Sequence, residues 1–323
     1  MATFLKPGWK KPSTILFASE IPANEKAFTF ALAQAAEFGA ELILFHAYDK
    51  LVVSATEGSS VLYYDSTAAC RDEMEHLEPL AERVREAGVK CKTMVRPGLA
   101  ADQILGFLRE REIDRIVMGT HSPGPIGKLL VGSVAEAVLR SANAPVCIVG
   151  PNVVESSYRH LAIPNILCDV SKREASRMVA AFGAELAARR NANLILQQVI
   201  PPQEQAEWLA GRTLSQLEEE LPFLIPARLH NIVNVQTRAV IGDPAEEMIY
   251  GGRARKAHLI VVGAQGASQF AAITRAASIY KALAYAHCPV MTLSPVLLAG
   301  CSPKGPREEI LHRPEVNFMA GVV

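Results

Sequence analysis

Apolar residues along this chain switch between two spacings. Short unbroken runs such as STILFAS (13–19) and AELILFHA (40–47) alternate with longer stretches in which apolar residues return every three or four positions. The runs read as strands buried on both faces, and the longer stretches as amphipathic helices. In the first half the pattern predicts a strand at 14–19 and a helix through NEKAFTFALAQAAEFGA that stops at Gly39. A strand at 41–48, an irregular insert at 49–65 and a helix near 67–88 follow. Next come a strand at 91–96, a helix at 100–112, a strand at 114–119, a loop, a helix at 132–143 and a strand at 145–149. The last of these helices places Val131, Val134, Ala135 and Val138 on one stripe, as packing on a sheet requires. Strands that alternate with helices, joined by right-handed crossovers, make a doubly wound α/β domain with a parallel sheet covered on both faces.

The pattern then repeats. Gly98, Gly119 and Pro145 recur as Gly242, Gly263 and Pro289, at one constant spacing in all three cases. STILFAS and AELILFHA recur as PNILCDV (164–170) and ANLILQQV (192–199) at a slightly larger spacing, so the first half carries the longer insert after its second strand. The chain reads as an internal duplication: an N-terminal extension at 1–11, a first domain at 12–151, a linker at 152–160, a second domain at 161–295 and a tail at 296–323.

The loop GTHSPGPIGKLLVGS (119–133) contains Gly127-Lys128, as a P-loop would. A Walker motif also needs Gly at 122 and Ser or Thr at 129, where this chain has Ser122 and Leu129. The informative features are the ends. Gly119 closes a strand, and Gly132-Ser133 opens a helix. A helix N-terminus offers unpaired N–H groups and a partial positive charge to an anion. Glycine at both ends permits close backbone approach and unusual φ/ψ, and Ser133 is placed to cap the helix or to bond a phosphate oxygen.

With that loop, the halves resemble universal stress protein domains. The family pattern G-x2-G-x9-G-[ST] aligns with Gly119, Ser122 and Gly132-Ser133; the family opening aligns with ILFASEIP (15–22) and its second strand with LFHA (44–47). The resemblance runs from about 12 to 295. It implies two tandem doubly wound domains, each with a five-stranded parallel sheet of order 3-2-1-4-5. It also implies an adenine nucleotide (ATP, ADP or AMP, with or without Mg2+). Carried over by position, adenine and ribose fall near Ala18, Ser19, Glu20 and Ala47, and phosphates on Met118, Gly119, Ser122, Gly132, Ser133 and Val134. Two departures stand out: Ser122 replaces a family glycine, and Glu20 replaces a family Asp. The second half departs further. It keeps Gly263 and Gly266, but has Ala276-Ala277 for the terminal Gly-Ser, Ser171 for the Asp and Gln198 for the His, which implies a retained fold without a nucleotide. The family's fifth-strand edge implies that Val146–Val149 and Val290–Leu293 pair within the chain; a homodimer is left open.

Composition narrows the alternatives. Lysine plus arginine equals aspartate plus glutamate at 33 each, which argues against a nucleic-acid surface covering the whole protein. No apolar run reaches membrane-spanning length, and MATFLKPGWKKPSTILF does not read as a signal peptide. Six cysteines without C-x-x-C or zinc spacing fit a reduced, cytoplasmic protein, with Cys147, Cys168 and Cys288 as small core residues. The charged runs 71–88 and 215–222 read as solvated helix faces, Arg253, Arg255 and Lys256 as a helix end, and His121 as a loop-shaping residue. With no nucleophile and base in sight, the reading is a stress-response regulatory module that binds a nucleotide in its first domain. A scaffold with neither site functional, or a slow ATPase using Lys128, are the alternatives.

Overall fold

The computed structural model describes residues 11–48, 66–120, 132–154, 164–171, 173–263 and 279–299. Its first half runs β1 (Thr14–Ser19), α1 (Glu25–Phe38), β2 (Glu41–Tyr48), α2 (Ser66–Glu86), β3 (Cys91–Pro97), α3 (Ala100–Glu110), β4 (Arg115–Gly119), α4 (Ser133–Ser141) and β5 (Val146–Val149). The second half runs β6 (Asn165–Asp169), α5 (Arg173–Arg190), β7 (Asn193–Ile200), α6 (Gln205–Leu209), α7 (Leu214–Glu220), β8 (Val235–Ile241), α8 (Pro244–Ala254), β9 (Leu259–Gly263), α9 (279–285), β10 (Val290–Leu293) and α10 (Pro295–Ala299).

Local chemistry explains the boundaries. Asn24 caps α1 by accepting from Ala27 N at 3.0 Å, and Gly39 ends it at φ 62°, a left-handed conformation that favours glycine. Asp243 caps α8 by accepting from Glu246 N at 2.9 Å, with Pro244 in the first turn, where its missing N–H costs nothing. α2 buries Leu77, Ala81 and Val84 on one stripe and turns Asp72, Glu75, Glu78, Glu82 and Glu86 to solvent, a charged helix face as the sequence suggests.

Within each half the strands are parallel and follow the order 3-2-1-4-5. Each half contributes the five parallel strands expected of it, and all ten form a single sheet, β3-β2-β1-β4-β5-β10-β9-β6-β7-β8. The halves meet through the antiparallel pair β5–β10, with Cys147 opposite Met291. Thr292 Oγ1 donates to Val146 O (3.1 Å), and Val154 N donates to His287 O (2.9 Å) across the same seam.

Two core layers cover the sheet, and both run across the seam. One joins α1, α2 and α5 over Phe17, Val117, Cys147, Cys168 and Met291. The other joins α3, α4, α8 and α9 over Leu16, Phe45, Ile116, Ile148 and Val290. On the first layer Arg190 of α5 reaches across to α1, pairing with Glu37 (2.6 Å) and donating to Gln34 (3.0 Å), while its guanidinium lies over Phe38. Arg115 of β4 stacks over the same ring and also bonds Gln34. Burial lowers the Arg190 pKa to about 10 and raises that of Glu37. Among the described residues no helix is long and apolar enough to cross a membrane.

Candidate functional site

In the first half the strand order reverses at β1, which lies between β2 and β4. Open α/β sheets leave a crevice at such a point, beyond the carboxyl ends of the strands. Here the crevice is a cavity of about 410 Å³. Ala18, Ser19 and Glu20 from the end of β1, Ala47 from β2, Met118 and Gly119 from β4, and Gly132, Ser133 and Val134 at the start of α4 all line it. These are nine of the ten residues singled out from sequence. The tenth, Ser122, lies outside the described residues, as do His121 and Lys128.

Part of the cavity wall is apolar, from Phe45, Ala100, Ile104 and Met118. Another part is the N-terminus of α4. Gly132 precedes that helix at φ 89° and supplies no side-chain cap; the first helical bond is Glu136 N to Gly132 O at 3.0 Å. The N–H groups of Ser133, Val134 and Ala135 therefore have no carbonyl four residues back to bond, and all three residues line the cavity. This arrangement corrects the sequence reading in one respect. Ser133 is the first helical residue, and the cap position belongs to Gly132, whose positive φ is what demands glycine.

Gly119 is also reassigned. Its φ is outside the left-handed region. What it needs is space, because a Cβ there would sit 2.6 Å from Asn24 Cβ and Cγ. Asn24 in turn caps α1 and reaches Thr120 O through Nδ2 at 3.4 Å. Glycine at 119 thus lets the α1 cap close over the end of β4, with Asn24 in the cavity wall. Thr120 lines the cavity as well; its buried hydroxyl has no hydrogen-bond partner among the described residues. Phe45, Ile104 and Asn24 had no signal beyond ordinary strand, helix and loop patterning. Behind the cavity, His46 Nδ1 donates to Ser19 O (2.9 Å), and Nε2 faces Glu73 Oε2 of α2 at 3.6 Å, which steadies the end of β1.

The corresponding place in the second half is occupied by its own side chains. Strand register puts Asp169 of β6 where Ala18 stands, and Gln197 of β7 where Phe45 stands. Gln197 is fully buried. Its Nε2 donates to Glu247 O (3.0 Å), and its Oε1 accepts from Arg238 (2.9 Å), which also pairs with Glu247 (2.6 Å). Asp169 accepts from Ser171 N (3.1 Å) and from its hydroxyl, and Ser171 Oγ accepts from Val199 N (2.7 Å). Ala276-Ala277 lie outside the described residues.

Other candidates have plain structural roles. Cys147, Cys168 and Cys288 are buried free thiols; burial pushes the Cys147 pKa up to about 12 and raises the other two as well. Arg253 and Lys256 are exposed at the end of α8. Among the described residues no group of three His, Cys, Asp or Glu could hold a metal ion.

Two doubly wound halves joined in one sheet, with an open cavity at the switch point of the first, define a tandem α/β protein. The sequence model of the universal stress protein family matches residues 13–150 and again 163–294, and the chain belongs to that family. A universal stress protein of Mycolicibacterium smegmatis is 24% identical over 291 residues, covering 84% of this chain and 93% of that protein. Universal stress protein MJ0531 of Methanocaldococcus jannaschii is 33% identical over 126 residues, 38% of this chain and 73% of its own length. Among solved structures, a universal stress protein from Archaeoglobus fulgidus superposes with a TM-score of 0.67 at 17% identity, over 90% of this chain and 98% of that one.

Proposed function

We propose that the first domain, 12–151, binds an adenine nucleotide and that the protein acts as a stress-response regulatory module in the reducing cytoplasm. The second domain, 161–295, serves as structural support. The observation that carries this reading is the pairing, in one cavity of about 410 Å³, of an apolar wall with the N-terminus of α4. Phe45, Ile104 and Met118 suit a flat heterocycle, and the three N–H groups of the first turn suit phosphate oxygens. Ala18, Ser19, Glu20 and Ala47 would meet adenine and ribose. Met118, Gly119, Gly132, Ser133 and Val134 would meet phosphates, with Ser122 completing the set from the loop. Elsewhere in the family, one universal stress protein has been solved in complex with cAMP.

Glu20 is the sole titratable side chain among the described residues of the lining. A binding role therefore takes precedence over hydrolysis. The β5–β10 pair gives the chain an internal two-domain contact, so nucleotide binding needs no second copy.

Equilibrium binding of labelled ATP to wild type and Gly132→Val tests the reading. A β-branched residue is strained at φ 89°, so it disturbs the backbone that opens α4. The expected result is binding by wild type and at least a tenfold loss in the variant. Equal binding by both would remove the site, and no binding by either would favour a nucleotide-free scaffold.

A further inference from the structure

The second half has a cavity of a different kind, about 370 Å³, beside α5 and the carboxyl ends of β6 and β7. It is closed by the segment 201–233, which carries α6 and α7. It lies on the α5 side of the sheet, whereas the nucleotide cavity of the first half lies toward α3 and α4. Val170, Trp208, Leu217, Leu221 and Leu224 supply its apolar surface. Trp208 already spends its indole N–H on Glu204 (3.1 Å), which leaves its ring to the lining.

Gln198 lines this cavity, and its side chain is unsatisfied. The residue is 4% exposed, and its buried Nε2 has no hydrogen-bond partner among the described residues. The first half shows why. Register places Gln198 where His46 stands. His46 bonds the carbonyl of Ser19 and faces Glu73 from α2. In the second half the matching carbonyl, Val170 O, accepts from Ser176 Oγ instead (2.6 Å), and the one carboxylate of α7 at this cavity, Glu220, is paired with Arg212 and leaves the amide nitrogen without a partner among the described residues. A buried donor left in this state costs on the order of 1–3 kcal/mol. Two guanidiniums also belong to the lining. Arg212 is held by Glu220 (2.8 Å) and by Trp208 O (3.0 Å); Arg177 is exposed and has no ion-pair partner among the described residues. Glu220 is the one carboxylate among the described residues of the lining, against two guanidiniums.

We propose that this cavity is a second ligand site, for a small aromatic carboxylate. The ring lies among Trp208, Leu217, Leu221 and Leu224, and a carboxylate oxygen accepts from Gln198 Nε2 under the positive potential of Arg177. The volume falls at the lower end of the range for small-molecule pockets, about 300–1,000 Å³, which suits a single-ring acid.

Phenylacetate is the probe. In a Trp9→Phe background the emission of Trp208, then the sole tryptophan, reports binding directly. The expected result is a saturable emission change and a rise in Tm with millimolar phenylacetate, with 2-phenylethanol at least tenfold weaker. Gln198→Leu should keep or raise the Tm of the free protein, since it removes an unpaired buried amide, and should weaken phenylacetate at least tenfold. Arg177→Ala, at an exposed position, should weaken it severalfold without changing the free Tm. No response of the wild-type tryptophan and Tm to phenylacetate, or an unchanged Kd in a folded Gln198→Leu, overturns the proposal.

Discussion

The two halves share a strand order and differ in what fills the space above the strand ends. In the first half Phe45 packs against Phe107 with ring centroids 5.3 Å apart, and small Ala18 leaves the crevice open. In the second, Gln197 stands at the Phe45 position, and Gly251 of α8, at the repeat spacing from Phe107, leaves room for its amide. A Cβ on Gly251 would run into Gln197 Oε1. Arg238 and Glu247 complete the hydrogen bonds of that amide, so the polar core is satisfied and not merely tolerated. The difference between the halves therefore reaches below the glycine loop. An aromatic pair beside an open crevice has become a glutamine–glycine pair within a closed network, and neither member of either pair makes sense alone.

The largest expected effect comes from moving one feature of the second half into the first. Ala18→Asp copies Asp169 into the cavity wall and sets a carboxylate where the proposed nucleotide would place its adenine and ribose. Calorimetric titration with ATP should show affinity reduced on the order of a hundredfold, ~3 kcal/mol. Unchanged affinity would mean that the nucleotide sits elsewhere.

Next is the glutamine–glycine pair. Gly→Ala inside a helix ordinarily stabilises by about 1 kcal/mol. At Gly251 the new Cβ meets Gln197, so Gly251→Ala should instead destabilise by roughly 1–3 kcal/mol in urea unfolding. Adding Gln197→Ala should recover part of that loss, because the two changes share one contact. Strict additivity would show that the pair is not coupled.

The smallest effect is a pH dependence that belongs to the second half. His258 and His287 both have lowered pKa values, chiefly because burial disfavours the imidazolium. The unfolded chain then binds more protons than the folded one between the lowered pKa and about 6.5, and stability rises with pH through that window. Thermal unfolding should show a Tm that climbs from mildly acidic pH to just above about 6.5, with a shallower slope in His287→Gln. The first half has Asp114 and Asn143 at the repeat positions and contributes no such slope from them. An equal slope in the variant would assign the effect to other groups.

Much of the fold was legible because its signals are local. Asn24 and Gly39 bound α1, Asp243 and Pro244 begin α8, and the apolar periods mark the strands to within a few residues. The candidate site was half legible. Its small and glycine positions followed from the family resemblance, while Phe45 and Ile104 were hidden, since an apolar residue in a strand or helix reads the same whether it faces a cavity or a packed core. Gly119 was legible as a necessary glycine but not for its reason, which is the side chain of Asn24.

By itself the sequence determined the alternation of strands and helices, the duplication and the departure of the second half from the family pattern. All of these depend on residue type and on spacing along the chain. Only the tertiary structure decided the antiparallel register in which β5 meets β10, and that Arg190 locks α5 onto Glu37 of α1. The same holds for Gln197 filling the space at Gly251 and for Gln198 facing a cavity with its Nε2 unpartnered among the described residues. Those facts depend on which side chains meet across tens of residues, and complementarity of shape and hydrogen bonding leaves no period in the sequence to read.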